Sequence, residues 1–251
     1  MLAESEQTVA NHRALYQLKI TLQDIQPLIW RRIQVWEDIT LAQLHTLLQI
    51  VMDWEDYHLH DFLIGRRRYS VPDPDDDMYE RKVLDEKLAR LNDVVPRVGS
   101  HFEYLYDFGD SWHHDLLLEG ILMPQPNVHY PRCVSGERRT PPEDVGGTLG
   151  YEDYLAAIAD PANSEHESML LWRGPFNPET FSTAAVNQRL QKKFRAQTGF
   201  KVTCCSFDFP FTSLTSRASS LAERTRSAAV GRSCKLAGNK SVKPRERKLA
   251  D

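Results

Sequence analysis

Cysteine and long apolar runs are scarce in this chain. Only four of its 251 residues are cysteine, and no pair has CxxC spacing. This excludes a disulfide framework and gives no sign of a zinc or dithiol centre. No stretch approaches the roughly 20 apolar residues of a membrane span, and the first residues lack the basic-then-apolar layout of a secretory signal. We therefore expect a cytoplasmic protein with reduced thiols and no membrane contact.

Several catalytic motifs are absent as well. The sequence has no GxSxG elbow, no phosphate-binding P-loop, no GxGxxG after a predicted strand and no HExxH helix. Cys133 would act as a nucleophile only beside a base, and the sequence identifies none. These absences favour a non-enzymatic protein without a cofactor. Binding of a divalent metal ion remains an alternative.

The charge is unevenly distributed. The net charge is -4, yet the residues from Phe211 onward include ten lysines and arginines against three acids. This part also lacks an apolar period, so we predict a disordered basic tail over 201–251 and a flexible N-terminus over 1–13. Weak nucleic-acid contact through residues 212–251 is one interpretation, and a solvated tail without a partner is the other.

The first part of the chain indicates an α+β fold. Residues 16–22 and 29–35 alternate apolar and polar side chains, as half-buried strands do. Thr40 and Gln43 have the spacing of a capping box before a leucine-rich helix, and "HDFLIGRRRYS" predicts a third strand. This β-β-α-β order predicts a β-grasp-like (ubiquitin-like) mixed sheet with covering helices, within one domain over residues 14–200.

The remaining elements are predicted from loop-forming residues and from the helical spacing of apolar residues. The Pro- and Asp-rich "VPDPDDDMYE" predicts a loop, and a short helical segment follows near Leu84, Leu88 and Leu91. An irregular loop extends over residues 123–150, and such length is typical of functional or disordered loops. Further helices are predicted at 151–160 and 165–172, and a last one from Asn177-Pro178 through Phe194.

The stretch "YLYDFGDSWHHDLLLEG", residues 104–120, combines acids, histidines and aromatics. Gly109-Asp110 favours a two-residue type II′ turn, which predicts a hairpin in which Asp107 faces Trp112. Asp107 and His114 are then diagonal neighbours, close enough for a carboxylate to orient an imidazole. A longer loop would shift this pairing and remove the contact.

Two other segments carry candidate ligands. His58 and His60 are two apart on a predicted strand and so share one face, where a third ligand would complete a metal site. In "PPEDVGG", Glu143 and Asp144 lie between a stiff proline pair and a flexible glycine pair. The segment either presents two acids to a metal, a substrate or a cationic partner, or simply turns the chain.

Three segments, "HLHDFLIG" (58–65), "YLYDFGDSWHH" (104–114) and "CVSGERRTPPEDVGGTLGYEDY" (133–154), resemble the plasmid pRiA4b ORF-3-like family in order and separation. The resemblance covers about residues 14–196. It implies an α+β domain of bacterial or archaeal mobile elements, whose members are often labelled insertion-sequence passenger proteins, sometimes with a resolvase-type name. No serine- or tyrosine-recombinase constellation supports that label.

The resemblance also draws attention to a departure in the long loop. Many members of the family read Cys-Pro-Pro-Glu-Asp-Cys-Gly-Gly, whereas this chain has Thr140 and Val145 at the two cysteine places. If relatives hold a metal there, this chain has lost it, since a structural zinc site needs four soft or imidazole ligands. A partial metal site formed by Cys133, His129 and His166 remains an alternative.

Two functions are weighed from these observations. The first is a protein-interaction module without catalysis, and the second is a metal-dependent hydrolase or nuclease with a His/Asp/Glu pocket. The candidate functional surface comprises His58, His60, Tyr106, Asp107, Asp110, Trp112, His114, Pro141, Pro142, Glu143, Asp144, Gly146 and Gly147. The candidate metal ligands are His58, His60, His114, His129, Cys133 and His166.

Overall fold

The structure is a computed structural model that describes residues 13–72 and 83–194. Eight strands and five helices follow one another in this part of the chain. In chain order they are β1 (Leu15–Leu22), β2 (Trp30–Trp36), α1 (Leu41–Met52), β3 (His60–Ile64), β4 (Arg67–Ser70), β5 (Val83–Asp85), α2 (Leu91–Val94), β6 (His101–Tyr106), β7 (Trp112–Leu122), β8 (Arg132–Glu137), α3 (Gly147–Ala159), α4 (His166–Arg173) and α5 (Thr183–Phe194).

The strands form one mixed sheet in the order β5-β4-β3-β6-β7-β1-β2-β8. Neighbouring strands are antiparallel, apart from the parallel pair β4 and β5. This confirms the predicted α+β class with a mixed sheet. The β-grasp assignment is not confirmed by this order and stays a prediction.

The core lies where the apolar alternation of the strands meets the leucine face of α1. Leu18, Ile20 and Leu22 of β1 are buried at every second position, as a pleated strand dictates. Leu44 and Leu48 of α1 belong to the same buried cluster.

The predicted capping box is present at the start of α1, because the Thr40 and Gln43 side chains each accept the other's backbone N–H.

Two predictions between residues 60 and 94 were wrong. "HDFLIGRRRYS" is not one strand but the hairpin β3–β4, which Gly65 turns with a φ of +62° that glycine adopts without a side-chain clash. Leu84 lies in β5, and only Leu91 enters the one-turn helix α2. The short leucine spacing in this segment did not distinguish a helical turn from a strand.

Two later elements also differ from expectation. The predicted irregular loop contains β8, whose backbone pairs with β2 at the sheet edge. The last helix begins at Thr183 rather than near Asn177, and the Ser182 hydroxyl accepts the Ala185 N–H at its first turn. Asn177 caps only a preceding turn, since its side-chain oxygen accepts the Glu179 N–H.

The β6–β7 hairpin forms, but its predicted register was wrong by one residue. Tyr106 pairs with Trp112 and Tyr104 with His114, so residues 107–111 are the loop. Asp107 and Ser111 take left-handed backbone conformations, with φ of 57° and 55°, and lengthen the turn. The expected Asp107–His114 contact is therefore absent, because a shift of one residue moves each side chain to the other face.

The predicted basic tail lies outside the described residues, as does almost all of the predicted flexible N-terminus. Among the helices of residues 13–72 and 83–194, none combines the length and the apolar character that crossing a bilayer demands.

Candidate metal-binding site

The segment after α1, the β6–β7 loop and the segment before α3 meet at His58. Its Nε2 lies 3.1 Å from Asp144 Oδ1, 3.5 Å from Asp107 Oδ2 and 3.8 Å from Glu143 Oε2. The three motifs that carry the family resemblance thus share one place in the fold. In the structure the "PPEDVGG" segment turns the chain and also brings its two acids close to the His58 imidazole, so both alternatives stay predictions.

The segment that carries His58 is held by its neighbours on both sides. Helix α1 is followed by its cap residue Asp53 in a left-handed conformation, and the Trp54 ring then stacks on Tyr106 with ring centroids 4.8 Å apart. The Trp54 indole N–H donates to the Pro141 carbonyl at 3.2 Å. His58 lies at a bend before β3, which begins at His60, so the prediction that the two histidines share a strand face was wrong.

Asp107 serves the turn and the site with different oxygens. Its Oδ1 accepts the backbone N–H of Gly109 at 2.9 Å and that of Asp110 at 3.3 Å. Its Oδ2 is the atom that faces His58. The turn thereby holds a buried carboxylate at a defined position, as asparagine and aspartate do in such turns.

Glu143 is a buried carboxylate with one satisfied oxygen. Its Oε1 accepts the Tyr106 hydroxyl at 3.0 Å and the Glu55 N–H at 2.8 Å. Its Oε2 is buried, faces His58 and has no hydrogen-bond partner. Burial raises the pKa of Glu143, while the hydrogen bonds and His58 act in the opposite direction.

The loop before α3 meets the hairpin loop at Asp110, through the side chain and the backbone of that residue. Asp110 Oδ2 accepts the Gly146 N–H at 3.0 Å. Gly147 has a φ of +69°, and a Cβ there would lie 2.7 Å from the Asp110 carbonyl oxygen. Only glycine permits this close approach, which places the neighbouring Asp144 against His58.

The geometry of His58, Asp107 and Asp144 suits a metal ion. One ligand atom from each residue lies within 4.8 Å of the other two, a grouping found for no other set of three in residues 13–72 and 83–194. Asp107 is buried and Asp144 is exposed, so the site has a closed side and a solvent side. Imidazole and carboxylate groups together bind first-row divalent metals.

Three predicted site residues do not join this cluster. His60 Nε2 lies 2.8 Å from Glu86, and its ring stacks on His45 with a centroid distance of 3.4 Å. His114 is fully buried and donates from Nδ1 to the Tyr104 carbonyl at 3.1 Å. Trp112 is also fully buried in the core. The one-residue register shift explains the last two, since it turns positions 112 and 114 inward.

The partial site predicted from Cys133, His129 and His166 does not form among the described residues. Burial raises the pKa of the Cys133 thiol to about 11, so it stays protonated at neutral pH. His166 donates from Nδ1 to the Ala157 carbonyl at 2.8 Å, and His129 is exposed. Each side chain has a separate local environment.

Sequence reasoning missed several supporting residues. Trp54 and Glu55 position His58 and Glu143, and Arg173 donates to the Glu143 carbonyl at 2.6 Å.

His45, a polar residue within the leucine face of α1, was missed as a partner of Tyr104 and His60. The available signal was "WEDYHLH", where two acids and three aromatic or apolar residues immediately precede or flank the histidines.

Comparison with known proteins identifies relatives over the described domain. The family described as plasmid pRiA4b ORF-3-like protein matches residues 14–185. Uncharacterized protein y4hQ of Sinorhizobium fredii is 34% identical over 175 residues, which are 69% of this chain and 87% of that protein. The crystal structure of a protein of unknown function from Methanosarcina mazei Go1 is similar with a TM-score of 0.61 and 38% identity, covering 69% of this chain and 97% of that one.

The match to the family covers well over half of the chain, and both relatives are matched over most of their own length. Their names assign no activity, so the comparisons define ancestry and fold. The resemblance noted in the sequence is confirmed: the chain belongs to the plasmid pRiA4b ORF-3-like family.

Proposed function

We propose that this protein binds a divalent metal ion between His58, Asp107 and Asp144, beside the buried carboxylate of Glu143. The observation that carries this proposal is the buried Glu143 Oε2, which lacks a hydrogen-bond partner and points at His58 from 3.8 Å. Buried carboxylate oxygens are seldom left unpaired, because their desolvation is costly. A cation among these residues removes that cost.

The charge of the site supports the same proposal. Three carboxylates surround a single imidazole, and Asp144 forms no ion pair with a lysine or arginine within the described residues. Even with His58 protonated, the carboxylates exceed the positive charge. A divalent cation compensates their repulsion better than one imidazolium does.

Metal-assisted hydrolysis is the reaction class that such a site serves best. The Asp144 side chain is 62% exposed, so a bound ion would keep coordination positions open towards solvent. A divalent ion held there would lower the pKa of a water bound at an open position and would so supply a nucleophile at neutral pH. His58, Asp107 and Asp144 would hold the ion, and the Tyr106–Glu143 hydrogen bond would keep the buried carboxylate in place beside it.

The proposal is tested by titrating chelator-treated protein with Mn²⁺ and Zn²⁺ in a calorimeter, with elemental analysis of the protein as purified. We expect one site per chain, and affinity lower by about tenfold or more in His58→Gln and Asp144→Asn. His101→Gln is the matched control, because His101 forms an exposed pair with Asp115 at 2.9 Å. Absence of binding, or equal binding by Asp144→Asn, would overturn the proposal and favour a simple ion pair at His58.

A second candidate function is a protein-interaction module without catalysis. Helix α4 exposes three consecutive apolar residues, Leu170, Leu171 and Trp172, with exposed fractions of 36%, 89% and 43%. Leu149 of α3 is 74% exposed as well. Exposed large apolar side chains such as these are found on surfaces that bind another protein.

A further inference from the structure

A cavity between the C-terminal end of α1 and the start of α5 shares no residue with the proposed metal site. Its volume is about 790 Å³, and its walls come from α1, α5, β2 and the segment that follows β8. Val51, Phe181, Ala185 and Val186 give it apolar surface. A cavity of this size can hold a small organic molecule.

Arg31 places a buried positive charge at this cavity. The residue is 2% exposed, and it donates to three backbone carbonyls and to the Thr140 hydroxyl. Within the described part of the chain, no carboxylate forms an ion pair with it. Burial lowers the pKa of Arg31 to about 10, a change that Cys133 opposes and Arg189 increases. Arg31 is still a cation at neutral pH, and buried charges are normally paired.

The polar groups at the cavity that lack partners are hydrogen-bond donors. Thr140 is 4% exposed, and its hydroxyl oxygen accepts an Arg31 N–H at 3.0 Å, so the hydroxyl hydrogen is left without an acceptor among the described residues. The Arg139 guanidinium lies over the Phe176 ring, 4.7 Å from its centroid. In the same part of the chain this guanidinium has no ion pair. The cavity therefore offers donors to a ligand.

The acids that line the cavity are already paired. Asp53 forms an ion pair with Arg189, and Glu179 forms one with an arginine outside the cavity, at 2.9 Å. The charges of Arg31 and Arg139 are thus left without a counter-charge. A ligand that carries two negative charges and only accepts hydrogen bonds would complement them.

We propose that this cavity binds the phosphoryl group of a small phosphate monoester. Such a group carries between one and two negative charges at neutral pH and presents three acceptor oxygens. These oxygens accept from the Arg139 guanidinium and the Thr140 hydroxyl, while Arg31 contributes its charge because most of its N–H groups are already bonded. The organic part of the ester packs on Phe181 and Val186.

The experiment is a calorimetric titration of the full chain, freed of metal by a chelator that is then removed, with phenyl phosphate at about pH 7.5. Benzoate, with one negative charge, and benzyl alcohol, with none, are titrated beside it. We expect phenyl phosphate to bind at least about tenfold more tightly than benzoate, and benzyl alcohol not to bind. Equal binding of phenyl phosphate and benzoate, or binding of neither, would overturn the inference.

Arginine variants test which charge holds the phosphoryl group. Arg139→Gln is expected to weaken phenyl phosphate binding by about tenfold or more, and Arg139→Lys to weaken it less. Arg97→Gln is the matched control, because Arg97 is exposed and does not line the cavity. Unchanged binding in Arg139→Gln, or an equal loss in Arg97→Gln, would contradict the proposed site.

A second pair of variants locates the ligand without removing an arginine. Ala185→Asp puts a carboxylate on the cavity wall and is expected to weaken phenyl phosphate binding by about tenfold or more. Ala184→Asp adds the same charge at an exposed neighbouring position that does not line the cavity, and it should have a much smaller effect. Both positions lie in the first turn of α5, where an acid favours the helix, so both variants should fold. Equal losses in the two would indicate a general charge effect and overturn the inference.

Discussion

At the scale of single residues, His114 shows how burial alone changes a side chain's chemistry. Its ring is fully buried, its Nδ1 donates to the Tyr104 carbonyl, and its Nε2 has no partner. Burial lowers the pKa of His114 to about 4, since the charged form would lose its hydration without gaining a counter-ion. The residue is thus a neutral core histidine, where the sequence suggested a metal ligand.

This shift predicts acid lability. Between its ordinary pKa near 6.5 and the folded value of about 4, the unfolded chain binds a proton that the folded chain does not. The contribution of His114 to the free energy of unfolding is therefore fully present above about pH 6.5. It falls by about 3 kcal/mol as the pH drops through this window. Urea unfolding at several pH values should show this loss in the natural chain, and a loss smaller by about this amount in His114→Gln, where the buried His45 still contributes.

His113→Gln is the control, since it alters the adjacent half-buried histidine and retains His114. It should keep the pH-dependent loss. An identical pH dependence in His114→Gln and the natural chain would contradict the assignment of this loss to His114.

At the scale of elements, the site depends on how two loops meet. The β6–β7 loop and the loop before α3 approach so closely at Gly147 and Asp110 that no Cβ fits between them. The Asp110 side chain adds a hydrogen bond to the Gly146 N–H. Because Asp107 lies in the first loop and Asp144 in the second, this junction sets the distance between two proposed ligands.

The junction predicts a specific effect of Gly147→Ala. The variant combines a positive φ with a collision against the Asp110 backbone, and we expect it to lose about 2–4 kcal/mol of stability. Metal affinity should fall as well, because the loops must move apart. Gly65→Ala is the control: its φ is +62°, but nothing lies within 4 Å of the added Cβ.

Gly65→Ala should lose only about 1 kcal/mol, the cost of the left-handed backbone alone. Chemical unfolding and the calorimetric titration measure both effects. Equal losses in the two variants would show that the contact with Asp110 is unimportant.

At the scale of the whole molecule, the uneven charge separates two parts of the sequence. The residues from Phe211 onward hold ten basic and three acidic side chains, while the chain as a whole has a net charge of -4. An acidic domain does not attract nucleic acid, so any such binding is expected to depend on the basic segment. An origin of this protein in mobile elements remains an implication of the family resemblance.

This asymmetry predicts the result of a deletion. If the segment contacts DNA, the full chain should bind a labelled duplex in a salt-sensitive manner, and a chain lacking residues 212–251 should not. Fluorescence anisotropy at about 50 mM and about 200 mM salt measures the difference. Replacing Lys243, Arg245, Arg247 and Lys248 by glutamine in the full chain controls for length, and it should reduce binding and the salt dependence together.

Much of the local structure could be predicted from the sequence. Alternation in β1 and β2, the Thr40–Gln43 capping box and the leucine spacing of α1 depend on neighbouring residues, and each was predicted within about one residue of its observed bounds. The candidate site was predicted in part: His58, Asp107, Glu143 and Asp144 were all named, although His60 and His114 were named with them.

The tertiary structure decided which of these residues meet. Turn length set the β6–β7 register, and a difference of one residue sent His114 into the core and left Asp107 at the loop. The side chains that meet at His58 come from segments tens of residues apart, and the sheet order, the Trp54–Tyr106 stack and the Gly147–Asp110 contact bring them together. Sequence patterns report short-range periodicity. A site of this kind depends on long-range packing, which periodicity does not reveal.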